Sequence, residues 1–195
     1  MKRVILAGIV GGVAMFIWTS IAHMVLPLGE EGIKELPNES TVLSALQSSI
    51  GDRRGLYLFP GYGLGPNPTR EQKSEAMKHM AEKVAQNPSG LLMYNPAGRE
   101  MNMGSLLGVE FATECLEALL VVFLLSQTVL SSFAQKFGFI FIAGILAAIA
   151  TNVSYWNWYG FPKHYIGAYI LTQVIGFAVV GLVAAPIVRT KSSPA

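Results

Sequence analysis

Four long apolar stretches constrain the fold of this chain more than any other feature. A helix needs about 20 mostly apolar residues to cross the roughly 30 Å hydrocarbon core of a bilayer. The stretches that reach this length run approximately over residues 4–26, 104–130, 137–156 and 165–188. The sequence therefore predicts an all-α integral membrane protein in which four transmembrane helices form one bundle.

The composition points to the same class of protein. Hydrophobic residues make up 52% of the chain and charged residues only 13%, whereas soluble domains carry about 25% charged residues. A net charge of +2 leaves no basic surplus to neutralise phosphates, so we expect no nucleic-acid partner. A single cysteine, Cys115, excludes an internal disulfide. The first partner that the composition predicts is the lipid bilayer.

A polar insert separates the first two apolar stretches and divides the chain. The sequence predicts transmembrane helix 1 in residues 1–26, an external α+β insert in residues 27–103, and transmembrane helices 2–4 with short loops and a tail in residues 104–195. Capping signals and helical spacing predict two short helices in the insert. Apolar runs at 55–60 and 90–96 each begin with Gly and end at Pro, which favours a two-stranded antiparallel ribbon.

The basic residues near the helix ends predict the orientation in the membrane. Five of them are expected on one side, and these are Lys2, Arg3, Lys136, Arg189 and Lys191. We therefore expect both termini in the cytoplasm and the insert as a periplasmic loop of a bacterial inner-membrane protein. The first apolar run is longer than the roughly 7–15 residues of a signal-peptide core, so we expect this helix to remain uncleaved.

An aromatic cluster lies where the third and fourth predicted helices meet. Its members are Tyr155, Trp156, Trp158, Tyr159 and Tyr165. Amphipathic rings of this kind collect at membrane interfaces, where the ring is apolar and its polar atom meets water. The cluster therefore predicts an aromatic belt at the outer interface.

Three acidic residues in the second predicted helix are the strongest functional signal. Glu110, Glu114 and Glu117 recur at i, i+4 and i+7, which places them on one helical face. An ionised carboxylate in hydrocarbon costs several kcal/mol, so it must face the bundle interior, find a partner or take a proton. His23, Asn152 and Gln173 lie at a matching depth in the other helices. These six residues are the candidates for a ligand-binding site.

Polar residues are concentrated in the outer halves of the predicted helices. Residues 4–17, 137–150 and 175–188 contain no ionisable side chain. A transmembrane ion pathway needs polar groups across the full thickness of the bilayer, so this distribution disfavours a channel or pump. It favours a pocket that opens outward and is closed on its inner side by apolar side chains. A purely structural role for the glutamates, with Glu110 interacting with the helix dipole, is the competing interpretation.

A metal site is the sharpest version of the binding hypothesis. His23, Glu114, Glu117 and His164 carry ligand types suited to iron, zinc or manganese. The Glu-x-x-His pair of di-iron bundles is absent, because no histidine follows these glutamates at i+3. The pattern identifies neither the metal nor any other cofactor.

The sequence offers little support for catalysis. It contains no phosphate-binding P-loop, no HExxH and no GxSxG motif. Small size and an external insert favour a non-enzymatic accessory or scaffold subunit of a larger membrane assembly, with other membrane subunits or a second copy of the chain as partners. The alternative is an outward-facing membrane protein that binds a metal or a small ligand through the glutamate cluster.

Overall fold

The computed structural model describes residues 1–191 and is mostly helical. In chain order the elements are α1 (Lys2–Met24), α2 (Glu39–Ile50), β1 (Gly55–Phe59), α3 (Arg70–Lys78), α4 (Met80–Gln86), β2 (Gly90–Tyr94), α5 (Met103–Ser126), α6 (Phe133–Tyr159) and α7 (Lys163–Ala184). They form two compact units. The helical unit comprises Met1–Lys34 and Met101–Ala195, and the insert unit comprises Glu35–Glu100.

Three helices of the helical unit are long and apolar enough to cross a membrane. They are α1, α6 and α7, with 23, 27 and 22 residues and mean hydropathies of 2.2, 2.0 and 2.1. These helices indicate a membrane protein. The fourth predicted span corresponds to α5, which has 24 residues. It is not among the three, and it is the helix that carries the three glutamates.

In two of the predicted apolar stretches, the helix ends four residues before the apolar sequence does, at Ser126 rather than 130 and at Ala184 rather than 188. The helix α5 ends at Ser126, because the Thr128 hydroxyl donates to the Leu125 carbonyl at 2.8 Å and accepts from the Leu130 amide at 3.3 Å. These local bonds compete with continuation of the helix. The helix α7 ends at Ala184, two residues before Pro186, which lacks an amide hydrogen for further helical bonding.

The four long helices pack in the order α5, α1, α7, α6, and α5 and α6 make only a minor contact. Two glycines permit the close approach of α1 to α5. A Cβ atom added at Gly12 would lie 2.5 Å from Cys115 Cα, and one added at Gly8 would lie 2.8 Å from Leu119 Cα. The two backbones are therefore nearly in contact, as in small-residue interfaces of membrane helices.

A continuous apolar core fills one half of the helical unit. Its fully or almost fully buried members are Ala7, Met15, Ala118, Val121, Val122, Leu125, Ile140, Phe177, Val180, Ala184 and Val188. Hydrogen bonds tie the chain together at this end: Thr190 Oγ1 donates to the Leu130 carbonyl at 2.7 Å, and Lys136 Nζ donates to the Val188 carbonyl at 3.0 Å. We call this part of the unit the apolar half.

The insert unit contains the predicted ribbon but one more helix than predicted. The strands β1 and β2 pair antiparallel with Gly55 opposite Tyr94, which confirms the ribbon. The expectation of two short helices was wrong, because the predicted second helix divides at His79 into α3 and α4. Few apolar side chains line this segment, and Met77 is 63% exposed. Burial therefore contributes little to holding one continuous helix, since tertiary packing supplies most helical stability.

Candidate ligand-binding cavity

A cavity of about 270 Å³ opens at the end of the helical unit where α1 and α6 finish and α5 and α7 begin. All four long helices contribute to its wall. The lining residues are Met15, Thr19, His23, Glu110, Thr113, Glu114, Glu117, Thr151, Asn152, Tyr169, Thr172 and Gln173. We call this space the carboxylate cavity and the surrounding part of the unit the polar half.

The structure brings together all six ligand-binding candidates named from the sequence. His23 lies on α1, the three glutamates on α5, Asn152 on α6 and Gln173 on α7, and each of them lines the carboxylate cavity. Helical spacing alone places the glutamates on a common face of α5. The association of that face with the other three helices is a property of the tertiary structure. The binding role of these residues stays a prediction.

Glu114 is the most buried of the three glutamates, and one of its carboxyl oxygens is buried without a partner. Its side chain is 3% exposed, and its Oε2 atom has no hydrogen-bond partner among residues 1–191. Glu117 is half-buried and Glu110 is exposed at the mouth of the cavity. A buried polar atom without a partner normally costs about 1–3 kcal/mol. The fold therefore holds an unsatisfied acceptor at the cavity wall.

His23 is held by a bond that determines the role of each ring nitrogen. Its Nδ1 atom lies 2.9 Å from the Thr19 carbonyl oxygen. A carbonyl oxygen can only accept, so Nδ1 carries the hydrogen and donates it. In the neutral imidazole, Nε2 is then the acceptor. The ring also approaches Tyr169 edge to face, with 6.3 Å between the centroids.

A small hydrogen-bond network on α6 and α7 forms the wall opposite the glutamates. Asn152 Nδ2 donates to the Ala148 carbonyl at 3.0 Å and to Gln173 Oε1 at 3.3 Å. Thr151 Oγ1 donates its one hydrogen to the Ala147 carbonyl at 2.8 Å and lies 3.3 Å from Gln173 Oε1. Gln173 thus accepts from Asn152 of the neighbouring helix, which orients its amide. The network joins the two helices by neutral groups only.

The charge of the carboxylate cavity is one-sided. Its wall includes three carboxyl groups, and none of the lining residues in the described chain is lysine or arginine. His23 is the only lining side chain there that can become positive. Carboxylates, hydroxyls and amide oxygens are hydrogen-bond acceptors, and ionised carboxylates are acceptors only. The cavity is therefore suited to a ligand that donates hydrogen bonds and carries positive charge.

A second recess of about 400 Å³ adjoins the carboxylate cavity between α1 and α5. Its lining residues are Phe16, Thr19, Ser20, His23, Met24, Leu106, Leu107, Glu110 and Tyr169. Thr19, His23, Glu110 and Tyr169 belong to both walls. We call this recess the Leu107 groove. It differs from the carboxylate cavity in that apolar side chains make up most of its own wall.

The remaining predicted site residues lie outside the carboxylate cavity. His164 is exposed at the start of α7 and does not line it. No group of three or more His, Cys, Asp or Glu side chains within residues 1–191 is arranged to hold a metal ion. Four members of the predicted aromatic belt are largely exposed, and these are Tyr155, Trp156, Trp158 and Tyr159. Tyr165 is half-buried and packs against Tyr169, with 4.6 Å between ring centroids.

Six lining residues are not among the six candidates named from the sequence: Met15, Thr19, Thr113, Thr151, Tyr169 and Thr172. Tyr169 follows Tyr165 by one helical turn, so the spacing of the two tyrosines is a signal that could have found it. Thr113 directly precedes Glu114, and its hydroxyl donates to the Val109 carbonyl at 2.9 Å. Met15 is an ordinary apolar residue in the sequence, and only the packing places it beside the glutamates.

No protein-family model, curated protein or solved structure matches this chain.

Proposed function

We propose that this chain is a four-helix membrane protein that binds a small organic cation in the carboxylate cavity. The fourth membrane span would be α5. Its length of 24 residues corresponds to about 36 Å at 1.5 Å per residue, enough to cross the hydrocarbon core. It also presents large exposed apolar side chains, among them Leu116, Leu120 and Phe123. Its three glutamates line the cavity, so their carboxyl groups would not have to face the lipid hydrocarbon.

The unpartnered Oε2 atom of Glu114 is the observation that carries the proposal. A buried carboxylate without a partner is strongly destabilising, whereas a buried pair with satisfied hydrogen bonds is tolerated. A primary ammonium group supplies one positive charge and three hydrogen-bond donors. It would satisfy Glu114 and leave donors for Glu117 and for the neutral oxygens across the cavity. A volume of about 270 Å³ has room for roughly nine water-sized groups at about 30 Å³ each, which suits a small organic cation.

The orientation belongs to the same proposal. The basic residues Lys2, Arg3, Lys136, Arg189 and Lys191 favour a cytoplasmic location for the apolar half under the positive-inside rule. The carboxylate cavity and the insert would then face outward, toward the periplasm in a bacterial inner membrane. An accessory or scaffold role, with other membrane subunits or a second copy as partners, stays a prediction beside this one.

Thermal unfolding of the purified protein in nanodiscs tests the binding proposal. Butylammonium chloride is the probe, and sodium chloride at equal concentration controls for ionic strength. At a concentration of about 100 Kd, a ligand of the folded state adds roughly 2.7 kcal/mol of stability. We expect a rise of several degrees in Tm with butylammonium and a smaller one with sodium. Glu114→Gln, which keeps the side-chain shape without the charge, should lose the difference between the two salts.

A matched variant shows whether the effect belongs to the cavity. Glu82 is an exposed carboxylate on α4 of the insert unit, so Glu82→Gln should respond to butylammonium like the wild type. Equal shifts with both salts in the wild-type protein would contradict the proposal. So would a butylammonium shift that survives unchanged in Glu114→Gln.

A further inference from the structure

The three glutamates of the carboxylate cavity lie at successive depths along α5. This helix begins at Met103, at the open end of the cavity, so Glu110 lies nearest the mouth and Glu114 about one turn deeper. At 1.5 Å per residue, these two positions are about 6 Å apart along the helix axis. Glu110 is exposed, whereas Glu114 is 3% exposed. A ligand that pairs with Glu114 therefore has a second carboxyl group on its solvent side.

A single ammonium group would leave this row of carboxyl groups incompletely paired. Beside the unpartnered Oε2 atom of Glu114, one positive charge would also serve Glu117, which is the deepest of the three. Glu110 would still lack a cation, because none of the lining residues in the described chain is lysine or arginine. No salt bridge within residues 1–191 includes Glu110. The mouth of the cavity therefore has room for a second positive charge.

The packing of α1 against α5 places an apolar side chain between the two acidic levels. The close approaches of Gly8 to Leu119 and of Gly12 to Cys115 show that the two helices run antiparallel. Three residues after Gly12 along α1 correspond to three residues before Cys115 along α5, so Met15 lies level with residue 112. Met15 is 5% exposed and lines the cavity. Along its length, the wall is thus acidic at Glu114, apolar at Met15 and acidic again at Glu110.

From this alternation we infer that the ligand of the carboxylate cavity is a short aliphatic diamine. The inference rests on the proposed function and names its ligand class. One ammonium group would pair with Glu114, the methylene spacer would lie against Met15, and the second ammonium group would pair with Glu110. An extended four-carbon spacer holds its two nitrogens about as far apart as these two glutamates are along α5.

The size and donor set of the cavity agree with an organic dication. At about 30 Å³ for each water-sized group, two nitrogens and four carbons fit within the cavity volume of about 270 Å³. A divalent metal ion would bring the same charge. However, no group of three or more His, Cys, Asp or Glu side chains in the described part of the chain is arranged to hold one. Two separate ammonium groups match carboxyl groups that lie at different depths.

A comparison of two amines with the same carbon chain tests the inference on the full chain in phosphatidylcholine nanodiscs. Butylammonium and 1,4-diaminobutane differ by one ammonium group, and at pH 7 alkyl amines of this kind are charged, as lysine is. The readout is the apparent Kd from thermal stabilisation, with sodium chloride used to equalise the ionic strength. We expect the diamine to bind wild type about five-fold more tightly, as suits one additional, partly exposed ion pair. Magnesium chloride at the same concentration should stabilise less than the diamine.

Two matched variants show whether the gain comes from the mouth of the cavity. Glu110→Gln should bring the Kd values of the two amines to within about two-fold of each other, because the second ammonium group loses its partner. Glu82→Gln removes an exposed carboxyl group of the insert unit and should keep the five-fold ratio expected for wild type.

The outcomes separate this inference from the proposed function. Equal affinities of the two amines for wild type would overturn the inference while leaving cation binding intact. The same holds for a diamine gain that persists in Glu110→Gln, or for magnesium chloride that stabilises as much as the diamine. Failure of both amines to bind wild type would instead overturn the proposed function.

Discussion

The two halves of the helical unit are built from the same four helices but obey different physical rules. In the apolar half, the core from Ala7 to Val188 is closely packed, and side-chain and backbone hydrogen bonds tie its end together. In the polar half, the same helices surround an open cavity with three carboxyl groups. Among the described residues, the buried side-chain polar atoms of the apolar half all have hydrogen-bond partners. In the polar half, one buried acceptor, Glu114 Oε2, has none.

This contrast shows which part of the helical unit supplies its stability and which part contains the proposed binding site. The apolar half supplies the packing that holds α1, α5, α6 and α7 at fixed distances. The polar half lowers the stability of the unit, because it contains a buried group that only a ligand would pair with. Such a division is common at binding sites, where residues that serve function are often unfavourable for the stability of the empty protein. Substitutions should therefore affect the two halves differently.

The largest effect on stability is expected in the apolar half, where the backbones of α1 and α5 lie close together. Gly12→Val would place atoms against the backbone of Cys115, with the first of them 2.5 Å from its Cα. Overpacking of this kind costs about 1–3 kcal/mol and occasionally more, so we expect a loss near the upper end. Unfolding in mild detergent, followed by circular dichroism, measures it. Gly108→Val on α5 is the control, because a Cβ there meets nothing within 4 Å; equal losses would refute the packing argument.

An effect of opposite sign is expected in the polar half. Glu114→Gln replaces a buried, incompletely paired carboxyl group with an amide that brings two hydrogens into a cavity rich in acceptors, so the free energy of unfolding should rise by about 1 kcal/mol without ligand. Glu110→Gln, at an exposed position, should change it by less than about 0.5 kcal/mol. Chemical denaturation in nanodiscs at neutral pH gives both values. A clear loss of stability in Glu114→Gln would favour a structural role for the cluster instead.

The smallest effect concerns the neutral wall of the cavity. Asn152→Ala removes the hydrogen bond to Gln173 that joins α6 to α7. Side-chain hydrogen bonds between membrane helices average about 0.6 kcal/mol, and we expect a loss of that order. The same denaturation measurement detects it, with Asn157→Ala at an exposed position of α6 as the comparison. If Asn157→Ala costs as much, the network contributes nothing beyond helix propensity.

Periodic and local features of the sequence predicted much of the helical unit. The four apolar stretches correspond to α1, α5, α6 and α7 to within a few residues, because helix formation in apolar sequence depends mainly on local hydrogen bonding and length. The ribbon followed in the same way from Gly and Pro boundaries. The break at His79 was missed, since it depends on how little of α3 and α4 is buried.

The sequence by itself determined the apolar stretches long enough to cross a membrane and the shared face of Glu110, Glu114 and Glu117, because these follow from composition and from the 3.6-residue period of a helix. Only the tertiary structure decided which other helices meet that face. It placed Met15, Thr113 and Tyr169 beside the glutamates, left His164 outside, and opened the Leu107 groove beside them. These outcomes depend on the distances between helices, which close contacts such as Gly12 against Cys115 determine and which no local pattern encodes.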